Sequence, residues 1–256
     1  LKNLLFIGDV VGKAGCDFLA AKLNVIKRLY KIDVTVVNGE NSAQGNGITR
    51  FSADSIIKAG ADIITTGNHA FRRREALDIF DEEYIIRPAN YPEGGCVGRG
   101  VCILDMGAYS VAFVNIMGTV YMDPLDNPFT KIDELLEEIS VPNIFVDFHA
   151  EATSEKKAMG YHLAGKVSGV FGTHTHVQTA DECILDGHTA YITDVGMTGP
   201  EHSCLGVEVK PAVDRLRFRM PVRFKEAEGD CFLCGIVVSF DEKSGKSHKI
   251  ERLIIR

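Results

Sequence analysis

Two histidines one residue apart close an apolar run in 170-VFGTHTHVQ-178, and the chain holds only eight histidines. In an extended segment residues two apart point the same way, so His174 and His176 can reach one site or two adjacent ones. A neutral imidazole nitrogen is a good ligand for zinc, iron and manganese, and carboxylate oxygens suit the same ions. Four other strand-like runs end in the same manner. The run 4-LLFI-7 leads into Gly8 and Asp9, 34-VTVV-37 into Asn38, Gly39, Glu40 and Asn41, and 62-DIITT-66 into Gly67, Asn68 and His69. The run 144-IFVDF-148 leads into His149. In a parallel α/β sheet the carboxyl ends of the strands share one edge, and ligand sites collect along it. Residues far apart in sequence are therefore expected to converge on one pocket.

The candidate ligands are three histidines (His149, His174, His176), two carboxylates (Asp9, Glu40) and two amides (Asn41, Asn68). That set is too large for one tetrahedral ion and suits two ions bridged by a carboxylate and a water. Two metals roughly 3.5–4 Å apart clamp a phosphoryl group and make hydroxide available near neutral pH. Two divalent ions against two carboxylates leave a positive site, which a bridging hydroxide and a phosphodiester charge neutralise. Asn68 and His69 are adjacent, so both cannot face the same metal without strain. Asn68 is read as a ligand and His69 as the proton donor to the leaving oxygen.

These residues need a scaffold, and the rest of the chain supplies its pattern. Further strand-like runs are 101-VCIL-104, 111-VAFVNI-116, 189-TAYIT-193, 232-FLCGIVVSF-240 and 250-IERLIIR-256. Helical spacing covers 17–30, 52–60 (Ser52 as N-cap, Gly60 as stop), 74–80 and 130–139. Continuous apolar strands separated by helices predict a sheet buried on both faces. From about Ile184 onward, alternation and the turn 241-DEKSGK-246 predict added antiparallel strands. No repeat or linker divides the chain, and its 256 residues are expected to form one domain over 1–256.

Composition removes several function classes. Hydrophobic content of 45% and charged content of 25% are those of a globular protein. A net charge of −7 gives no global basic field, which argues against a nucleic-acid duplex or an anionic membrane as partner. Neither a signal peptide nor a bilayer-spanning run is expected, since 1-LKNLLFIGDV-10 leads straight into a strand-like run. Seven scattered cysteines fit a reduced cytoplasm, and Cys231 with Cys234 reads as core cysteine rather than a redox pair.

Six segments carry a resemblance: 7-IGDVVGKAG-15, 37-VNGENSAQGNGIT-49, 66-TGNHAF-71, 87-RPANYP-92, 147-DFHAEATSEKKAMG-160 and 172-GTHTHVQTAD-181. Together they resemble the YmdB-like phosphoesterases of bacteria, within the calcineurin-like metallophosphoesterase superfamily. The resemblance implies an α/β fold, a sandwich of two mostly parallel or mixed sheets flanked by helices. It also implies hydrolysis of small phosphodiesters including 2′,3′- or 3′,5′-cyclic nucleotides, iron or manganese as metals with zinc as the alternative, and a homo-oligomer. The superfamily usually opens with Asp-x-His, whereas here Asp9 is followed by Val10 and Val11. Glu40 stands where the bridging aspartate is expected, and Asn41 can supply the lost ligand. On the family pattern Asp9, Glu40, Asn41 and His176 hold one ion, and Glu40, Asn68, His149 and His174 the other, with His69 as acid.

Each residue alone has a plainer reading. Asp9 and Asn68 could be turn formers, and His149 a satisfied core histidine. The segment 45-GNGIT-49 is either a phosphate-cradling loop or a turn, and 121-YMDPLDNPF-129 either a pocket wall or a connection. The run 151-EATSEKK-157 reads as a solvated helix start capped by Ser154, and Arg72, Arg73 and Arg74 as a solvated face. His162, His188, His202 and His248 are assigned surface or structural roles. Two other functions share the ligand set. One is a phosphomonoesterase, such as a nucleotidase or protein phosphatase. The other is a regulatory RNA- or nucleotide-binding protein with structural metal.

Overall fold

A computed structural model describes residues 1–92 and 94–256. The first part of the chain builds one sheet from β1 (Lys2–Ile7), β2 (Asp9–Val10), β3 (Val34–Asn38), β4 (Ile63–Thr65) and β5 (Ile85–Ile86). The middle builds a second from β6 (Val101–Asp105), β7 (Ser110–Met117), β8 (Asn143–His149), β9 (Gly169–Thr173), β10 (Cys183–Leu185) and β11 (Thr189–Ile192). The last part returns to the first sheet as β12 (Met197–Pro200), β13 (Cys231–Phe240) and β14 (Ser247–Ile255). The first sheet runs β2-β12-β13-β1-β3-β4-β5 with β14 also paired to β13, and the second runs β10-β11-β9-β8-β7-β6. β1, β3, β4 and β5 are mutually parallel, as are β7, β8, β9 and β11. The antiparallel strands expected after Ile184 are present as β10, β13 and β14. The five polar strand ends therefore lie on two facing sheets rather than one, three on the first and two on the second.

Period-two alternation explains the layering. Leu4, Phe6, Val34, Val36, Phe113, Phe145, Phe171, Val238 and Phe240 fill the space between the sheets. Their neighbours along the strands, Leu5, Ile7, Val37 and Ile64, face α1 (Gly12–Leu29) and α2 (Arg50–Ala59). Ala112, Val114, Ile144, Val146 and Phe148 on the second sheet face α3 (Pro128–Glu138) and α4 (Thr153–Leu163). Phenylalanines join the sheets: Phe6 lies 5.4 Å from Phe171, and Phe240 lies 5.1 Å from Phe145, between ring centroids. Both faces of the central strands β3, β4, β8, β9 and β11 are buried, which is why these strands read as apolar runs.

The helix boundaries depart from the expectations in instructive ways. α1 starts at Gly12, not 17, because Gly12 takes φ +60° and Gly15 packs against the backbone of β12, where a Cβ would come 2.5 Å from the Thr198 oxygen. Ser52 is not the N-cap of α2. Thr49 is, and Ser52 answers it from the third position in a capping box, while Gly60 ends the helix as expected. The turn over Arg74–Asp81 is a 3₁₀ helix. Asn127 caps α3, with Pro128 in its first turn. Ser154 caps nothing, since α4 follows Ala152, and 151–157 is solvated only in part: Glu151, Thr153 and Ser154 are exposed, whereas Glu155 and Lys156 are buried. Glu155 accepts the backbone N–H groups of Thr119 and Val120. A fifth helix, α5 (Val209–Phe218), was not expected, because its apolar residues are mostly exposed and give no inward stripe. No helix is long and apolar enough to cross a membrane among the described residues.

Beside the second sheet, Asp181 accepts the Thr193 backbone N–H and the hydroxyls of Thr179 and Thr193, and pairs with Lys157 at 2.5 Å. Burial opposes ionisation, but Lys157 and the two threonines outweigh it and hold the carboxyl well below its ordinary 3.8. Stability from a depressed acid is full above that ordinary value and lost as pH falls below it. Asp181→Asn is therefore expected to cost ~1–3 kcal/mol at neutral pH. The gap between variant and wild type should narrow in denaturant melts as pH falls below about 4. A gap that widened on acidification would contradict this assignment.

Candidate functional site

All eight residues singled out in the sequence come together at the carboxyl edge of the two sheets. Asp9, Glu40 and His149 are wholly buried, and Asn41 nearly so. The inward-facing position that follows each buried apolar residue at this edge is polar: Asn38 after Val36, Thr65 after Ile63, Asp147 after Phe145, Thr173 after Phe171. These four make a floor. Asp147 accepts Asn38 Nδ2 at 3.1 Å, Thr65 Oγ1 at 2.5 Å and Thr173 Oγ1 at 2.6 Å. Burial pushes the Asp147 carboxyl up to about 6, with His149 and the two hydroxyls pulling the other way, so it is mainly ionised at neutral pH.

The floor orients the first histidine. Thr173 gives its single hydroxyl proton to Asp147 and stands 2.8 Å from His149 Nδ1, so Nδ1 carries hydrogen and Nε2 turns inward. His174 Nε2 lies 3.1 Å from Glu151 Oε2, which leaves Nδ1 inward. His176 Nδ1 lies 3.2 Å from the Leu205 carbonyl, which leaves Nε2 inward. Each outer nitrogen is held by an oxygen and each inner one is free to coordinate, the arrangement found around metal-ligating histidines.

The inner atoms are too crowded for hydrogen bonding alone. His149 Nε2 stands 2.9 Å from Asn68 Oδ1, 3.1 Å from Glu40 Oε1 and 3.1 Å from His174 Nδ1. One N–H cannot serve three acceptors. Glu40, His149 and His174 each offer a ligand atom, all within 4.8 Å of one another, so these residues fit a cation. On the other side of Glu40, the Asn41 amide nitrogen lies 3.3 Å from Asp9 Oδ1, 3.2 Å from Glu40 Oε1 and 3.2 Å from His176 Nε2. Coordination through the Asn41 oxygen needs the terminal amide turned by half a revolution, since that oxygen now faces His69 Nδ1 at 3.0 Å. His69 Nδ1 also lies 3.3 Å from Glu40 Oε1, and its Nε2 has no protein partner among the described residues.

Electrostatics match this arrangement. Burial would push His149 down, but Glu40, with Asp9 and Asp147 behind it, raises it to about 9. Burial and the His149 charge push His174 down to about 3. Burial raises Glu40, but His149 and His69 outweigh it and hold it well below the ordinary range, whereas burial dominates at Asp9 and raises it. In the protein alone, positive charge at the centre rests on a proton of His149; a divalent ion would displace it.

The loop that carries the two histidines is strained. His174 has φ +99° and His176 φ +65°, at about 1–3 kcal/mol for each such non-glycine residue. Gly67 is required for a different reason: a Cβ there would stand 2.2 Å from His149 Cδ2 and 2.4 Å from Glu40 Oε2.

Other segments take plainer roles. In 45–49, Gly45, Asn46 and Gly47 are all left-handed, and the Gly45 amide is bonded to Glu226, so the loop is a turn into α2 rather than an open phosphate cradle. Arg73 is no solvated face, because it donates to the Asn46 and Gln44 carbonyls. The 121–129 segment connects to α3 and is tied to Asn90 through Asp126. Sequence reasoning missed Asp147, Thr173, Thr65 and Glu151. Three of these had a readable signal, a polar residue at the last inward position of an apolar strand.

The family model described as "YmdB-like protein" matches residues 5–253. A Bacillus subtilis (strain 168) protein named 2′,3′-cyclic-nucleotide 2′-phosphodiesterase is 47% identical over 256 residues, covering 99% of this chain and 97% of its own. Among solved structures, a novel phosphatase from Mycoplasma pneumoniae superposes with a TM-score of 0.95 at 31% identity, over 99% of this chain and 93% of that one. A hypothetical protein from Thermus thermophilus gives 0.93 at 40% identity, over 98% of each chain.

Gly67→Ala is expected to force His149 and Glu40 apart and to cut binding of added manganese sharply while the fold persists. Calorimetric titration beside circular dichroism reads both. Unchanged binding in the folded variant would contradict the packing described.

Proposed function

The chain belongs to the YmdB-like family, and from that premise we propose that it is a two-metal-dependent phosphodiesterase of small phosphodiesters, foremost 2′,3′-cyclic nucleotides. The observation that carries this is the set of three histidines, each with its outer nitrogen held by oxygen and its inner nitrogen turned to the centre: His149 toward Glu40, His176 toward Asn41, and His174 toward His149 Nε2. When bound, two divalent ions polarise phosphoryl oxygens and lower the pKa of water toward neutrality. Glu40 is the shared ligand, with Asn68, His149 and His174 on one side and Asp9, Asn41 and His176 on the other. Nitrogen and oxygen donors without thiolate suit iron or manganese, and zinc as the alternative.

His69 carries the proton for the leaving oxygen. Glu40 tethers its Nδ1, and its side chain is a quarter exposed, so Nε2 is available to substrate. The buried carboxylates and His149 form a low-dielectric base in which charge stabilisation is stronger than in water. The 2′,3′-cyclic class is placed ahead of the 3′,5′-cyclic class on the name of the B. subtilis relative. A phosphomonoesterase is the second reading, favoured by the likeness to the Mycoplasma phosphatase. The seven free thiols support a reducing, cytoplasmic setting.

We further propose a homo-oligomer joined through α5 and the segment after it. Val209, Val213, Leu216, Phe218, Met220 and Phe224 are exposed there. Residues 205–225 carry six basic and two acidic side chains in a chain of net charge −7, so this arm is complementary to the acidic remainder of a second copy. Light scattering should show Leu216→Asp with Phe218→Asp as a smaller species than wild type, and an unchanged mass would contradict this interface.

For the chemistry, bis-p-nitrophenyl phosphate should be hydrolysed faster than p-nitrophenyl phosphate with manganese present, and chelation should abolish both. The reverse preference would favour the monoesterase, and no turnover in metal-loaded protein would favour a binding protein. His69→Ala should keep its metal and lose about 10²–10⁴-fold in turnover, whereas Glu40→Gln should lose metal as well. Full activity in metal-loaded His69→Ala would overturn the acid assignment.

A further inference from the structure

Lys156 and Asp194 form a buried ion pair at 2.7 Å, with 2% and 1% of their side chains exposed, and neither touches a candidate ligand. Buried ion pairs rarely stabilise more than packed apolar residues of the same volume, so stability alone does not account for this one. The same Asp194 oxygen that meets Lys156 also accepts the Thr175 backbone N–H at 3.1 Å and the Thr175 hydroxyl at 2.8 Å. Its other oxygen accepts the Gly196 N–H at 2.9 Å. Thr175 is the residue between the two left-handed histidines. Lys156 comes from α4, just after β8, and Asp194 follows β11, so the pair ties three neighbouring strand ends together. Contact is close: a Cβ on Gly172 would stand 1.8 Å from the Thr193 oxygen and 3.1 Å from Lys156 Cδ.

We infer that Lys156 and Asp194 are positioning residues that lock the His174-Thr175-His176 loop in its strained conformation, and thereby set how tightly the site binds metal, a role that rests on the two-metal reading. Without the three bonds that this Asp194 oxygen makes to Thr175 and Lys156, the loop is free to leave the left-handed region, and the two inward nitrogens are no longer held together. Lys156 anchors the carboxylate, and Asp194 transmits the constraint through Thr175.

Manganese titration into metal-stripped protein by calorimetry tests this, beside thermal unfolding of the metal-free forms. Asp194→Asn is expected to weaken manganese binding about 10–100-fold, and Thr175→Val, which leaves the ion pair intact, about tenfold. Asp33→Asn is the control, since it breaks a partly buried pair with Lys2 and the Asn3 N–H where β1 and β3 begin, at the opposite edge of the sheet from the loop, and should lose stability but keep wild-type affinity. If Asp194→Asn does not fold, Thr175→Val decides. Wild-type affinity in folded Asp194→Asn and Thr175→Val, or an equal loss in Asp33→Asn, would overturn the positioning role while leaving the two-metal reading intact. A wild-type protein that binds no manganese would overturn both.

Discussion

Glu40 and His149 meet at 3.1 Å across the gap between two sheets, and most of the site depends on that contact. Glu40 follows a strand of the first sheet and His149 ends a strand of the second. Their separation is therefore set by how the sheets pack, not by local chain geometry. The inter-sheet phenylalanines fix the spacing, and Gly67 allows the closest approach because nothing larger than hydrogen fits between the two side chains. A site built this way inherits the rigidity of the core beneath it. Close-packed interiors do not deform continuously, so ligand distances vary little once the sheets have docked.

The same core changes character along one direction. Between the sheets it is aromatic in the middle and polar at the carboxyl edge, where Asn38, Thr65, Asp147 and Thr173 replace the apolar side chains. Ionised Asp147 anchors a hydroxyl, the hydroxyl sets a histidine tautomer, and the histidine presents its other nitrogen to Glu40. Folding thus places negative charge and oriented lone pairs at one buried point. That point calls for positive charge, although the chain as a whole carries −7. A local field decides what binds there, and the net charge decides only what the outer surface attracts.

How much of this could be read beforehand follows from what determines each part. The eight convergent residues were legible because a strand end is marked by sequence alone: an apolar run, a small residue, then a polar one. The distribution of those strands over two facing sheets was not visible in periodicity, since an inward face reads the same whichever sheet it belongs to. Asp147 stood out as a polar residue in an apolar run, but its role did not, and Lys156 was hidden inside a charged run. Their roles depend on partners 26 and 38 residues away, Thr173 and Asp194. Ser52 was misplaced as a cap because Thr49, three residues earlier, offers the same hydroxyl, and Ser154 because α4 begins after Ala152 with no side-chain cap at all. α5 escaped notice because its apolar residues face outward, so helical spacing there served no core.

The proposed function stands or falls on two metal ions, one on either side of Glu40, joining the two sheets. Anomalous diffraction at the manganese edge, from crystals grown with manganese, tests it most directly. Two peaks about 3.5–4 Å apart are expected, both within bonding distance of Glu40, one beside His149 and His174 and the other beside Asp9 and His176. A single peak, or peaks that do not contact Glu40, would contradict the account.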